Sequence, residues 1–376
     1  MRTQLICVRT QCIFGPSRSI RPVNIKNMRI KDIAALAGVS TGTVDRVLHN
    51  RGRVSKEAAE KVTKIMEEID YKPNPIARFL GSNKKYRIIA LIPDPTADTY
   101  WAQSNQGLVQ AQAEWAQYRI RIELYPFDIY KKESFKKIAL DVLNAKPDGV
   151  LTAPVFYDEA LPVFNLFKSS GIPFVFFNTN IPSSHPLSFI GQDLFQSGKV
   201  AAELMHFGQH LNGKLAVFHL DADIHNSIHL MEKERGFREY FKNNNSVSFE
   251  INEYNFNLSD ASFPDQLGRL FSDPQLRGIF VSTSTGTSAV ASLMEKHGKK
   301  EIRLIGYDIL AENLKYLRSG TIDFLINQNP KRQAFLGISH LVNHLMFKEK
   351  APDQELFPLE VITKQNLDSY LGSGIH

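Results

Sequence analysis

The chain has 376 residues, 43% hydrophobic and 22% charged, a globular rather than disordered composition with length enough for two or three domains that each bury a core. Its formal net charge of +6 hides an asymmetry, because residues 1–92 hold 18 Lys and Arg against 7 Asp and Glu, while the remainder holds 27 against 32. A basic head on an acidic body points to a polyanionic partner for the head alone.

Both cysteines, Cys7 and Cys12, lie in the first dozen residues, so no disulfide framework staples the body, and the usage fits a reducing cytosol. No run of about 18 apolar residues exists, which argues against a membrane span. Residues 1–27 contain no acid and no apolar run long enough for a secretory core. Met28 directly precedes a well-patterned helix, so residues 1–27 are expected to be an unstructured extension or an upstream misassigned start.

From Met28 the pattern is helical and brief. "IKDIAALAG" sets Ile30, Ile33, Ala34 and Ala37 on one stripe, and Gly38 supplies the permissive residue that ends the helix. Ser40 is placed to cap a second helix with Val44, Val47 and Leu48 turned inward. Ser55 caps a third, whose inward stripe is Ala58, Val62, Ile65, Met66 and Ile69, ending near Asp70. Two helices joined by a tight turn make a helix-turn-helix.

The outward face of the second helix carries Thr41, Gly42, Thr43, Asp45 and Arg46. The first four are short enough to let a helix approach a groove closely, and Arg46 can reach guanine edges or phosphate. Arg51 and Arg53 follow in the loop, placed to meet phosphates. The plainer reading, a solvated face on a small bundle, leaves this combination unexplained. The segment reads as built to touch duplex DNA.

"IKDIAALAGVSTGTVDRVLHNRGRVSKEAAEKV" followed by "YKPNPIARFL" resembles the DNA-binding head and hinge of the lactose-repressor and galactose-repressor family, nearly without gaps over residues 30–80. The resemblance implies that Thr41, Gly42 and Arg46 read bases and that Ser40 and Thr43 contact phosphate. In the hinge it implies DNA contact by Asn74, Ala77 and Leu80, with Leu80 as the wedge in the minor groove. Two departures stand out. Gly42 lacks a side chain that often reads bases, and Asp45 stands where a small hydroxyl is usual.

Pro73 and Pro75 break the third helix, and "PIARFL" can start a short new one. A helix so short is unstable alone. Folding only when paired with its twin on DNA would make operator affinity depend on hinge spacing.

From Tyr86 onward strands and helices alternate. "RIIALI", "RIRIELY", "DGVLTAP", "PFVFFN", "KLAVFHL", "GIFVS", "IRLIGYD" and "DFLINQ" read as buried parallel strands between amphipathic helices such as Trp101 to Tyr118 and Leu194 to Leu211. The expected fold class is a small all-α helix-turn-helix head plus an α/β body of two doubly wound lobes. The resemblance implies a periplasmic-binding-protein-like body with a ligand cleft between the lobes. The expected domains are the extension (1–27), the head (28–72), a hinge helix and linker (73–85) and the effector-binding and dimerisation body (86–376). Within the body the first lobe is expected over 86–182 plus 328–352, and the second over 183–327 plus 353–371.

Polar residues stand where strands end: Asn178, Asp193, Asp308 and Gln328, with Tyr100 and Trp101 opening the helix after the first strand. Carboxylates and amides can pair with vicinal hydroxyls, and an aromatic face can cover a sugar face. These six are the candidate effector-binding residues, matching family ligand-contacting positions by resemblance. The plainer reading of each polar residue is a helix cap, which for Asp193 weighs equally, and of Trp101 a place in the core. Sugar binders of this fold often carry an arginine upstream of the "GF" pair, whereas "HLMEKERGF" puts Met231 in that register.

Three His-x-x-x-His pairs (His206/His210, His225/His229, His340/His344) lack the glutamate of a metalloprotease and a third ligand, so no metal is expected. No nucleophile elbow, Walker-type loop or body cysteine supports an enzyme, and no cofactor is expected. "STSTGTSAV" is hydroxyl-rich at a strand-to-helix junction and can meet a phosphate there, or simply cap. The sequence therefore reads as a cytoplasmic, nucleoid-associated homodimeric regulator that binds double-stranded DNA at a pseudo-palindromic operator and takes a small carbohydrate effector, with no membrane partner. A sugar-binding transport protein and an enzyme on the same body are the alternatives.

Overall fold

The computed structural model describes residues 28–48, 51–71, 84–221, 224–244 and 247–372. The chain divides into two compact units, residues 1–78 and 79–376. The head holds α1 (Ile30–Ala37), α2 (Thr41–Leu48) and α3 (Lys56–Glu68). Helix α1 stops because Gly38 turns to φ 65°, a conformation that costs glycine nothing, and Val39 N returns to Ala34 O at 3.0 Å. Ser40 Oγ accepts from Thr43 N at 3.1 Å, and Ser55 Oγ accepts from Ala58 N at 3.3 Å. Both hydroxyls satisfy amides that the first turn of a helix leaves orphaned.

Ile33, Val44 and Val62 are fully buried, with Ala34 and Ala37 beside them. Val47, Leu48, Ile65, Met66 and Ile69 close the cluster. So small a core leaves this unit marginally stable on its own.

The body opens with β1 (Tyr86–Pro93), α4 (Thr99–Trp115), β2 (Ile120–Phe127), α5 (Lys132–Asn144), β3 (Gly149–Thr152), α6 (Tyr157–Ser169), β4 (Phe174–Phe177) and β5 (Ser188–Gly191). It repeats the scheme with α7 (Leu194–His206), β6 (Gly213–Leu220), α8 (Ile228–Lys242), β7 (Phe249–Phe256), α9 (Phe263–Phe271), β8 (Leu276–Val281), α10 (Gly286–Lys296), β9 (Arg303–Tyr307), α11 (Ala311–Ser319) and β10 (Phe324–Asn327). Helix α12 (Pro330–Val342), β11 (Gln354–Leu356), β12 (Glu360–Ile362) and α13 (Leu367–Gly372) finish it.

Two six-stranded sheets result, in the orders β11-β5-β4-β3-β1-β2 and β12-β10-β9-β8-β6-β7. All pairings are parallel except β10 with β12. Ile88 to Ile92 of β1 are wholly buried, as a central strand covered on both faces requires. β2 and β7 sit at sheet edges and alternate buried with exposed residues. "RIRIELY" is thus a half-exposed edge strand, not a fully buried one.

The lobe boundaries move. Strand β5 pairs with β4 (Phe176 opposite Phe189) and β11 pairs with β5 (Glu355 opposite Ile190), so residues 188–191 and 354–356 belong to the first sheet, not the second. The β4-to-β5 connection carries only a 3-10 turn, Pro182–Ser184, in place of a full helix, so counting strand-helix units ends the first lobe one strand early.

The chain crosses between the two sheets after β5, after β10 and after β11, and these crossings are tied at one side chain. Gln192 Nε2 donates to Asn327 O and to Pro358 O, each at 2.8 Å. Gln192 is buried, which makes these charge-neutral bonds costly to break.

Candidate functional site

The lobes are structural echoes of each other, and the echo places the site. Asn178 follows β4 and Asp308 follows β9; both adopt φ 63°. Asn178 N donates to Ile190 O and Asp308 N to Ile326 O, each at 3.0 Å. Each lobe therefore turns one polar side chain inward at the carboxyl end of its sheet, where ligands of open α/β folds bind.

A cleft of about 570 Å³ lies there, within the size range of small-molecule sites. One wall comes from the first lobe: Asp98, Tyr100, Trp101, Tyr130, Phe156 and Asn178. Asp98 caps α4, accepting from Tyr100 N at 2.8 Å and Trp101 N at 3.3 Å. That bond fixes the start of the helix and so the two rings, which meet edge-on at 5.0 Å. Asn178 Nδ2 donates to the Tyr100 hydroxyl at 2.6 Å, and Gln333 Oε1 accepts from Asn178 N at 2.8 Å. Burial pushes the Tyr100 phenol well up, and burial raises the Asp98 carboxyl as well, the backbone bonds opposing it.

The opposite wall is different in kind. Asp221, His229, Lys233 and the run Ser282 to Thr285 line it, and Gln328 reaches it from a crossover. Asp308 is fully buried and stands behind this wall: its carboxylate accepts from Ser284 Oγ at 2.5 Å, Gln328 Nε2 at 2.6 Å and Gln328 N at 2.8 Å. Burial raises its pKa against those bonds and against the charge of Lys233. His229 is pushed down to about 3 by burial, then by Lys233 and His219, so it is neutral. Burial lowers Lys233 to about 7, partly offset by Asp308.

Of the six residues expected from sequence, Tyr100, Trp101, Asn178 and Gln328 line the cleft, and Asp308 acts through Ser284 and Gln328. Asp193 does not. It is exposed and caps α7, accepting from Gln196 N at 2.9 Å; its short side chain is spent on the helix end. Met231, in the register where sugar binders of this fold often carry an arginine, does not line the cleft either. Met231 is 45% exposed, and the cation of the cleft is Lys233, one helical turn after His229 on the same face of α8. That i, i+4 spacing was the available signal. Lys233 can be buried because α8 crosses α7 closely: a Cβ on Gly236 would lie 1.9 Å from Phe195 O.

The lobes also touch across the cleft. Asn226 Oδ1 accepts from Asp158 N at 2.9 Å, and Asn226 Nδ2 donates to Glu159 Oε2 at 2.8 Å. Asp158 and Glu159 open α6, so a second-lobe side chain caps a first-lobe helix.

Behind Lys233, His219 bonds Ser282 Oγ at 2.7 Å and Glu234 Oε2 at 2.8 Å, and Arg238 Nε donates to Glu234 Oε1 at 2.6 Å. Burial raises the Glu234 pKa, but these hydrogen bonds outweigh it and hold the carboxyl low. Glu253 lies near His219 and Glu234 at metal-ligating spacing, yet Arg238 already supplies the positive charge to Glu234. His206 and His340 are bonded to Tyr240 and to Ser188 and Glu355.

In the head, Thr41, Gly42 and Arg46 are exposed on one side of α2, Arg51 and Arg53 are exposed in the following loop, and Thr43 is half-buried. Ser40 Oγ is engaged by Thr43, at 2.9 Å from Thr43 Oγ1, which ties the two hydroxyls expected at phosphates into one cap. Asn74, Ala77 and Leu80, and the hinge helix with them, lie outside the described residues. No helix among the described residues is long and apolar enough to cross a membrane.

Residues 89–349 match the family of the periplasmic binding protein domain, and residues 29–74 match the bacterial regulatory proteins of the lacI family. The chain is 30% identical to the HTH-type transcriptional regulator MalR of Streptococcus pneumoniae over 46% of its own length and 52% of that protein. It therefore spans about half the length of that curated relative. It is 23% identical to the sucrose operon repressor of Pediococcus pentosaceus over 74% of its length and 82% of that protein. A candidate LacI transcriptional regulator from Bacteroides fragilis superposes with a TM-score of 0.70 at 27% identity, covering 76% of this chain and 100% of that one. The chain belongs to the periplasmic binding protein domain family and carries, ahead of that domain, the helix-turn-helix segment of the bacterial regulatory proteins of the lacI family.

Proposed function

We propose that the chain is a cytoplasmic, homodimeric, sequence-specific DNA-binding transcription regulator, a repressor, whose operator affinity is set by a sugar or sugar derivative held between the lobes. One observation carries the reading: the same chain joins an exposed helix face of Thr41, Gly42 and Arg46 to a cleft walled by aromatic rings on one side and hydroxyls on the other. The first is the chemistry of major-groove readout, the second that of a sugar site. The lacI-family match and the names of the relatives support it.

Two chains would present two heads to a pseudo-palindromic site, and closure of the lobes on ligand would change the spacing between hinges. Ser40, Thr43, Arg51 and Arg53 would hold phosphates, and Asn74, Ala77 and Leu80 would work in the minor groove. The test is selection of duplexes from a random pool by the full chain, followed by operator titration with and without a panel of sugars. A two-fold consensus whose affinity changes with one sugar class is the expected result. Equal affinity for every duplex would remove the reading.

A further inference from the structure

Lys233 is a buried amine in the cleft wall that, among the described residues, has no carboxylate in direct ion-pair contact. It is 3% exposed; its Nζ donates to Ser282 O at 3.1 Å and stands 3.5 Å from the centre of the Tyr307 ring. Among the described residues no carboxylate oxygen comes within ion-pair distance of it. An ammonium has three donors; one is spent on Ser282 and the ring face takes another, which leaves one for an occupant of the cleft.

Its surroundings are unfinished in the same sense. Among the described residues, Thr283 Oγ1 and His229 Nδ1 are buried without a hydrogen-bond partner, and both residues line the cleft with Lys233. The chain passes from Thr283 into α10 at Gly286, where amides of the first turn favour negative charge. Elsewhere in the cleft, Asp98 of the first lobe and Asp221 of the second offer carboxylates; Asp98 Oδ1 accepts from two backbone amides and Asp221 Oδ1 from one. One part of the cleft is short of acceptors and another is short of donors.

We propose that the ligand of this cleft is an acidic sugar, a hydroxylated ring bearing a carboxylate or phosphate whose oxygens accept from Lys233 and Thr283 beside the start of α10, while ring hydroxyls donate to Asp98 and Asp221. The proposal rests on the reading of the cleft as the effector site and names its chemistry. A neutral sugar would give Lys233 only a hydroxyl, whereas an anionic oxygen adds the attraction of opposite charges to the hydrogen bond, in a site largely shielded from water.

The test is calorimetric titration of the full chain with D-glucuronate, D-galacturonate and D-glucose 6-phosphate at matched ionic strength, with D-glucose and D-galactose as neutral counterparts. At least one acid binds about tenfold or more tighter than its neutral counterpart. K233M loses that difference and K233R keeps it. Preference for the sugar acids assigns a carboxylate, and preference for glucose 6-phosphate assigns a phosphate. Equal binding of acid and neutral sugar, a preference that survives K233M, or no binding by any acid overturns the proposal. Should K233M not fold, proton uptake by the wild-type chain on binding, read in two buffers of different ionisation enthalpy, takes its place, and zero uptake overturns it. Operator binding with and without each ligand is measured alongside: its absence under every condition removes the regulator reading, whereas operator binding answered only by neutral sugars removes the acidic ligand alone.

Discussion

Gly198 of α7 and the Lys233 carbonyl of α8 meet so closely that a Cβ on Gly198 would lie 1.9 Å from that oxygen and 2.9 Å from Phe237 N. Both neighbours are backbone, so no side-chain rotation relieves the contact. Gly198→Ala must push α8 away from α7, and with it Lys233 and His229. We expect a loss of about 2–3 kcal/mol in stability, read as a lower urea midpoint, together with weaker effector binding. An unchanged midpoint would mean the helices are not held at this distance in solution.

Asn226 spends both ends of its amide on the other lobe, accepting from Asp158 N and donating to Glu159. Asn226→Ala leaves an orphaned amide at the start of α6 and removes a bond to a charged oxygen. The closed arrangement loses about 1–2 kcal/mol, so effector affinity falls about tenfold while operator affinity without effector holds. Titration of both ligands on one preparation separates the two effects. Equal effector affinity in mutant and wild type would show that the contact forms no part of closure.

Arg46 is exposed near the end of α2, and Arg46→Ala is expected to cost about 1–3 kcal/mol of specific operator binding and relax base preference at one position. Gly42 supplies the contrast. A Cβ there meets nothing nearer than Ser40 Oγ at 3.7 Å, so Gly42→Ala stabilises the head by up to about 1 kcal/mol through helix propensity. If α2 lies against base edges, the same methyl lowers operator affinity. A Gly42→Ala chain more stable in urea and unaltered on every operator would place the reading face elsewhere.

Much of this was legible in the sequence because it depends on local chemistry. Gly38, Ser40 and Ser55 announce the head, since caps act within three residues. The strand ends that carry Asn178 and Asp308 follow from buried runs such as "PFVFF". What escaped depends on tertiary distance. Whether Asp193 faces a ligand or its own helix is decided by a rotation that spacing does not encode. The burial of Lys233 depends on Gly198 and Gly236 letting two helices cross, and a charged residue in "HLMEKERGF" reads as surface until that crossing is known. Strand β5 was misassigned because a 3-10 turn did the work of a helix.

The depressed pKa of Lys233 gives two pH dependences of opposite sign. Burial holds it near 7 in the folded chain, against about 10.4 when unfolded. Between those values the unfolded chain binds more protons, so stability rises with pH across that window. Lys233→Met removes this rise, which urea unfolding at pH 7 and pH 9 measures directly. Ligand binding runs the other way. An anion on Lys233 favours the ammonium and raises its pKa in the complex, so binding takes up protons near pH 7 and affinity falls as pH climbs above it. His229, already neutral, adds no proton in this range, and Asp308 is spent on Ser284 and Gln328. The affinity for an acidic sugar should therefore drop by up to about tenfold per pH unit above 7 and stay level below it, down to the range where the cleft carboxylates titrate. A profile flat from pH 6 to 9 would place the ligand's charge away from Lys233.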